Sequence, residues 1–333
     1  MVSLEECLKG INTDMRSSKS DVWKNQINTN KPLKSFGILE QYGYKLSNIL
    51  GININITNRA VVIFAGDHGI SDMNLSVYNK SQTKKVLHLL SEGMTPLNKI
   101  INQNHLDLYC VDIGVDGPIN VNNILNYKIS NGTNNIYQQK AMSEKKARQA
   151  IEVGIEIASI CAKKNIQIVA LGEIGVGNTI SSSVITAILC DLTAEQVTGR
   201  GTGIVGDKLI HKNKIIGEIM NRCSKNPISL LAEAGGFEIC GVVGFVLGCS
   251  FYKIPLIIDG YITGAATLVA SKLHAGIKNY IFASHQSSEP GHKFILQGLE
   301  LEPMLKLEMR YGLATGAALT LPLFESAYNL TNV

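Results

Sequence analysis

Between Ile166 and Ser183 the chain reads Ile-Gln-Ile-Val-Ala-Leu-Gly-Glu-Ile-Gly-Val-Gly-Asn-Thr-Ile-Ser-Ser-Ser. An apolar stretch of strand character runs into a glycine-punctuated loop with one carboxylate, Glu173, and then into a helix start of small residues. Gly172, Gly175 and Gly177 lack a Cβ, so a ligand can approach the main chain closely. Asn178 and Thr179 are expected to cap the following helix, whose first N–H groups attract an anion. An anion cradle beside a lone acid suits a phosphorylated substrate whose chemistry develops positive charge.

Other chemistry-bearing residues stand where apolar runs end. Ala60–Ala65 runs into Gly66-Asp67-His68-Gly69, Ile254–Ile258 into Asp259-Gly260, and Tyr280–Ala283 into Ser284-His285-Gln286-Ser287. Asp67 and Asp259 are either catalytic acids or ties that hold loops through backbone N–H groups. His68, His285 and His292 have no partner at i,i+4 and no cysteine nearby, so a structural or hydrogen-bonding role outweighs a metal site, and no metal is expected. Gly201-Thr-Gly-Ile-Val-Gly206 matches GxGxxG in letters only, because Leu192–Thr198 supplies no strand before it. Thr198–Gly203 reads instead as an ordered turn friendly to anions. No Gly-x-Ser-x-Gly elbow occurs, which argues against serine hydrolase chemistry.

The elements that must position these residues follow from periodicity. The near-continuous apolar runs at Ala60–Ala65, Leu106–Ile113, Ile166–Leu171, Ile254–Ile258 and Tyr280–Ala283 suit strands buried on both faces, as parallel sheets require. Helical patterns separate them, the clearest after Ser143 and around Asp207–Cys223, and Ser3-Leu-Glu-Glu6 fits a capping box. Leu301–Ala327 reads as helix, glycine-bearing turn and helix. Alternating strands and helices imply an α/β sheet with helices on both faces, whose ligands gather beyond the carboxyl ends of the strands.

The 333 residues are enough for a full enzyme core. A net charge of +4 is weak, and the basic residues of Lys19–Lys34 are interleaved with polar ones as in a solvated segment, which argues against a nucleic-acid partner. Seven cysteines form an odd set with no CxxC pair, so no disulfide framework is expected. The acidic start Met-Val-Ser-Leu-Glu-Glu lacks the pattern of a signal peptide. The longest apolar run, Ile239–Cys249, is shorter than the ~20 residues of a membrane span, so the expectation is a cytoplasmic chain with no membrane partner.

Taken in order, these motifs resemble the nicotinate-nucleotide–dimethylbenzimidazole phosphoribosyltransferase family. The resemblance rests on Gly66-Asp-His-Gly69, Gly172-Glu-Ile-Gly-Val-Gly-Asn-Thr179, Thr198-Gly-Arg-Gly-Thr-Gly203 and Gly235-Gly-Phe-Glu238. It continues through Asp259-Gly-Tyr-Ile-Thr-Gly264, Ser284-His-Gln-Ser-Ser-Glu-Pro-Gly-His292, and Arg310-Tyr-Gly with Thr315-Gly-Ala-Ala318. It implies a Rossmann-like parallel sheet with helices on both faces, plus a small helical lobe from the N- and C-terminal segments. The division would be an N-terminal segment 1–58, a large domain 59–294 and C-terminal helices 295–333.

The implied reaction moves the phosphoribosyl group of nicotinate mononucleotide to an aromatic base, releasing nicotinate and forming an α-ribotide for cobalamin-type cofactors. It implies no metal, no cofactor, and a homodimer or a heterodimer with a paralogue. Glu173 is then the catalytic carboxylate. Gly175, Gly177, Asn178, Thr179, Gly203, Lys212, Ser287 and Ser288 bind the phosphate and ribose, and Asp67, His68, Tyr78 and Leu313 belong to the acceptor pocket. The chain departs from the family where typical members read Leu-Gly-Glu-Gly-Thr-Gly, the glutamate being the base that deprotonates the acceptor. Here the segment is Tyr311-Gly-Leu-Ala-Thr-Gly316, and Leu313 cannot take a proton. The loop Ile70–Gln82 departs too, with Asn79 and Lys80 where a proline and a glutamine are usual. Three readings follow: an active transferase with a rearranged acceptor site, a subunit of a heterodimer attaching a related or phenolic acceptor, or a nucleotide-binding protein without turnover.

Overall fold

The computed structural model of the chain describes residues 1–13, 32, 35–73, 75–201 and 203–331. Most of the basic segment Lys19–Lys34 lies outside these residues. Six parallel strands form one sheet: β1 Arg59–Gly66, β2 Asp107–Gly114, β3 Ile124–Asn126, β4 Ile168–Ile174, β5 Leu256–Ile258 and β6 Ile281–Ala283. Their order across the sheet is β3-β2-β1-β4-β5-β6, so the chain winds outward in both directions from the β1/β4 pair. A crevice opens beyond the strand ends where the winding reverses, the usual ligand position in such sheets. In the register there, Phe64 pairs with Glu173 and Ala65 with Ile174.

Five strands coincide with the apolar runs of the sequence. The short β3 does not, because it is a half-exposed edge strand set among asparagines and carries no apolar run. Alternate residues of the central strands enter two separate cores. Ala60, Val62, Phe64, Val169 and Leu171 pack with the helices Glu144–Lys163, Phe237–Phe251 and Tyr261–Leu273. Val61, Ile63, Ile168, Ala170, Ile257 and Phe282 pack with Tyr42 and Leu46 of the helix Ile38–Leu50 and with Leu321, Phe324 and Tyr328 of the helix Thr315–Thr331.

The helix Ile38–Leu50 and the C-terminal helix Thr315–Thr331 meet upon the sheet. The helices Ile38–Leu50 and Thr315–Thr331 form its second cover, whereas the opening helix Leu4–Gly10 packs on the opposite face through Leu4 and Cys7. That first helix has the expected capping box, Ser3 and Glu6 each accepting the other's backbone N–H.

Two local expectations are corrected. Glu302–Arg310 is not a helix but an irregular segment, helped by Pro303. Its main chain pairs with the end of β6 and the loop beyond: Met304 N–H donates to Ala283 O, Leu305 N–H to Ser284 O, and Gln286 and Ser288 N–H to Leu305 and Met309 O. The tertiary pairing outweighs local helix propensity and fixes the loop Ser284–Ser288. Nor do Asn178 and Thr179 cap their helix. The N-cap is Gly177, left-handed at φ 102°, a conformation that favours glycine, and no side chain caps the helix Asn178–Cys190. Among the described residues no helix is long and apolar enough to cross a membrane.

Candidate active site

Beyond the carboxyl ends of β1, β4, β5 and β6 lies a cavity of about 640 Å³. That is the size of a site for a small organic ligand, and a mononucleotide with an aromatic ring beside it fits the range. Glu173, near the end of β4, lines it. It is 7 % exposed, and Asn178 Nδ2 donates to its Oε2 at 2.5 Å. Asn178, one residue past the glycine N-cap, is thus turned toward the acid rather than toward its own helix. Burial pushes the Glu173 carboxyl up to about 8, the carboxylates of Glu238 and Asp259 add to this, and the Asn178 hydrogen bond opposes it. A carboxyl so placed is protonated in the empty site at neutral pH, and a cation nearby would ionise it.

One end of the cavity carries anion-binding groups. Gly175, Gly177, Asn178 and Thr179 bring the uncapped helix N-terminus to its wall, where partial positive charge gathers. Lys212, from the helix Asp207–Met220, is 1 % exposed, so it is not the surface lysine its polar neighbours in sequence suggest. Its ammonium lies 3.4 Å from Thr179 Oγ1 and 3.3 Å from Gly199 O. Burial lowers its proton affinity, and the Glu289 carboxylate opposes that. Glu289 accepts the Gly201 N–H at 3.1 Å, which ties the turn Thr198–Gly201 to the loop after β6. Ser287 lines the same end, its N–H held at 2.8 Å by Nδ1 of His292. Burial, with His285 adding to it, pushes His292 down to about 3, so its ring is neutral and can accept that bond.

The other end is apolar and aromatic: Leu75, Tyr78, Val86, Ile174, Tyr311 and Leu313. Tyr78 and Tyr311 are half exposed at the mouth. Leu313 and Ala314 are both left-handed, at φ 57° and 61°, which strains non-glycine residues. The turn is held against the sheet, since a Cβ at Gly172 would stand 2.2 Å from Ala314 N. Between the two ends Asp259 accepts the Ala317 N–H at 3.0 Å, and its Oδ1 lies 4.0 Å from Nδ1 of His285. Ser284 Oγ sits 2.9 Å from that same nitrogen.

The structure thus gathers Glu173, Gly175, Gly177, Asn178, Thr179, Lys212, Ser287, Tyr78 and Leu313 around one cavity. It leaves four expected residues off its walls. Asp67 is buried behind, accepting the Asp116 N–H at 2.8 Å, which is the loop-tying role. His68 is fully buried against Glu238, off the cavity wall. The N–H of Gly203 closes its own turn onto Arg200 O. Ser288 faces a second, smaller cleft shared with Arg200, Glu289 and Arg310. Residues not assigned from the sequence also line the main cavity: Asp259, His285, Glu289, Tyr261, Arg200 and Arg310. All lie in motifs visible in the chain, but their convergence depends on the order of the strands.

The phosphoribosyltransferase family matches residues 11–333. The nicotinate-nucleotide–dimethylbenzimidazole phosphoribosyltransferase of Clostridium acetobutylicum is 38 % identical over 330 residues, covering 98 % of this chain and 94 % of that one. The enzyme of the same name from Acetivibrio thermocellus is 37 % identical over 331 residues, with the same coverage. The crystal structure of CobT from Thermus thermophilus superposes with a TM-score of 0.91 at 30 % identity, covering 94 % of this chain and 96 % of that chain. With the sheet order, the anion cradle and the buried acid already in place, the chain belongs to the family of nicotinate-nucleotide–dimethylbenzimidazole phosphoribosyltransferases.

Proposed function

We propose that the chain transfers the phosphoribosyl group of nicotinate mononucleotide to an aromatic base of the dimethylbenzimidazole kind, releasing nicotinate. The product is an α-ribotide for the nucleotide loop of cobamides. The observation that carries this reading is Glu173, buried in the wall of one cavity that anion-binding groups and apolar, tyrosine-bearing residues also line. The 5′-phosphate lies toward Lys212, Ser287 and the N-terminus of the helix Asn178–Cys190. The acceptor ring lies between Tyr78, Tyr311 and Leu313.

The donor ring is a pyridinium, and its charge draws the proton off Glu173 as it binds. A ring nitrogen of the acceptor attacks the anomeric carbon with its lone pair. The bond from that carbon to the pyridine nitrogen breaks, its electrons neutralising the departing ring. Positive charge passes through the ribose, where the buried Glu173 carboxylate, fixed by Asn178, stabilises it. One in-line displacement inverts the anomeric carbon, as an α-linked product requires. The acceptor then loses its N–H proton to water or to the Glu173 carboxylate, whose proton affinity returns once the cationic ring has left.

Leu313 favours a second reading, in which the chain works as one subunit of a heterodimer whose partner supplies the missing base for a related or phenolic acceptor. In either case the reading is of a cytoplasmic enzyme working as a dimer. The test is nicotinate release from nicotinate mononucleotide by the purified chain with benzimidazoles and phenols, alone and with a homologous partner. Release by the chain alone supports the first reading, and release only with a partner supports the second. Absence of donor binding in both settings overturns them.

A further inference from the structure

Behind the loop that carries Glu173, closed off from the cavity, stand a histidine and a carboxylate that the reaction above does not use. The side chains of His68 and Glu238 have no exposed surface, and His68 Nε2 lies 2.5 Å from Glu238 Oε1. The other ring nitrogen, Nδ1, lies 3.1 Å from Ser181 Oγ on the helix Asn178–Cys190. Glu238 Oε2 is buried without a hydrogen-bond partner. Three glycines make room for this carboxylate: a Cβ at Gly66, Gly175 or Gly236 would stand 2.8, 3.0 or 2.5 Å from one of its oxygens. Gly175 is two residues beyond Glu173, so Glu238 rests against the main chain that fixes this acid.

A neutral His68 fits both contacts of its ring, while Glu238 Oε2 stays without a partner. Its Nε2–H donates to Glu238, and Nδ1 accepts the Ser181 hydroxyl. In that tautomeric arrangement a carboxylate at Glu238 carries its charge without an ionic partner, in surroundings where charges are poorly screened. The charged groups facing Glu238 are His68 and Asp67 from the end of β1 and Glu173 from the end of β4. Those facing Glu173 are Glu238 and Asp259, with His285 beyond Asp259.

We infer that Glu238, touched by no substrate, is a positioning residue that sets the charge preference of the site. With His68 neutral it leaves a negative charge behind Glu173, and this second layer favours a donor with a cationic ring over its neutral counterpart. The inference rests on the donor reading above. It also accounts for release: the ring that is held as a pyridinium leaves as an uncharged pyridine, to which the second layer offers no attraction.

The experiment compares the wild type with Glu238→Gln and His68→Gln. It reads kcat/KM for nicotinate release against pH, and the affinity for nicotinate mononucleotide relative to its 1,4-dihydro form, which has a neutral ring and the same phosphate. Glu238→Gln is expected to move the rising limb about one pH unit toward acid and to lower the affinity ratio about tenfold, the equivalent of one pKa unit. His68→Gln keeps a neutral donor to Glu238 and leaves the limb in place. A folded Glu238→Gln that changes neither quantity overturns the inference. So does an alkaline move in His68→Gln, which would reveal an imidazolium that had cancelled the charge. Should a variant fail to fold, ¹⁵N shifts of His68 in the wild type decide between neutral ring and imidazolium. A wild type that neither binds donor nor releases nicotinate defeats the functional reading alone, since those shifts still judge the charge arrangement.

Discussion

At the scale of single residues, the Glu173 carboxyl meets two opposed demands. Burial among Glu238 and Asp259 keeps it protonated, whereas its proposed role needs the ionised form. A cationic donor reconciles them, and pH reads the balance. With the free site titrating at about 8, kcat/KM should rise with pH and level off above that value, because this ratio reports the free enzyme. Glu173→Gln keeps the shape and the Asn178 contact but not the charge. It should lower nicotinate release by roughly 10²–10³-fold, the scale of one preorganised electrostatic group. Donor affinity, measured by calorimetry, should fall far less. Leu313→Glu places a carboxylate at the apolar end, and a positioned base contributes typically 10²–10⁴-fold. Transfer to a benzimidazole should therefore rise by at least ~10²-fold, and an inert but folded variant would show that the pocket itself differs.

Elements hold these residues by close main-chain contact. The helices Glu144–Lys163 and Phe237–Phe251 cross almost backbone to backbone: a Cβ at Gly154 would stand 2.0 Å from Gly241 O, and one at Gly244 would stand 1.8 Å from Ile151 O. The second of these helices begins at Phe237, next to Glu238, so any shift in the crossing reaches the network behind Glu173. Gly154→Ala gains ~1 kcal/mol of helix propensity but forces apart two main chains, which cannot yield as a side chain would. Overpacking should win, with stability in urea falling by ~1–3 kcal/mol. Loop elements were less legible than these. The sequence of Leu301–Arg310 reads as helix because its composition is permissive, yet Met304 and Leu305 N–H donate to Ala283 and Ser284 O, and Leu305 and Met309 O accept from Gln286 and Ser288 N–H, all distant in the chain.

For the whole molecule, the buried titratable groups make stability depend on pH in two windows of opposite sign. Glu173 titrates at about 8 in the fold against an ordinary 4.5, so between these values the folded state binds more protons than the unfolded state. Its contribution is present below about pH 4.5 and is lost as pH rises toward 8, at ~1.4 kcal/mol per unit. Glu173→Gln should remove that slope and be more stable than the wild type at pH 8, by urea unfolding. His292 is the reverse, held at about 3 against an ordinary 6.5, so the unfolded state binds the extra proton. Stability should fall as pH drops from about 6.5 toward 3, and His292→Asn, which does not titrate, should lose less over that range.

The amino-acid sequence alone determined five of the six strands, the helices after Ser143 and Asp207, the first capping box, and the identity of Glu173 as the acid of interest. Each is a local matter of apolar periodicity, capping residues or glycine spacing, and these properties are written in neighbouring residues. The edge strand β3, the irregular Leu301–Arg310, the burial of Lys212 and the retreat of Asp67 and His68 behind the cavity were decided by tertiary structure. So was the layer formed by the helices Ile38–Leu50 and Thr315–Thr331, which covers one face of the sheet. The physical reason is the strand order: reversing the winding between β1 and β4 sets the depth of each loop, and depth alone separates a residue that meets solvent or ligand from one that meets only protein.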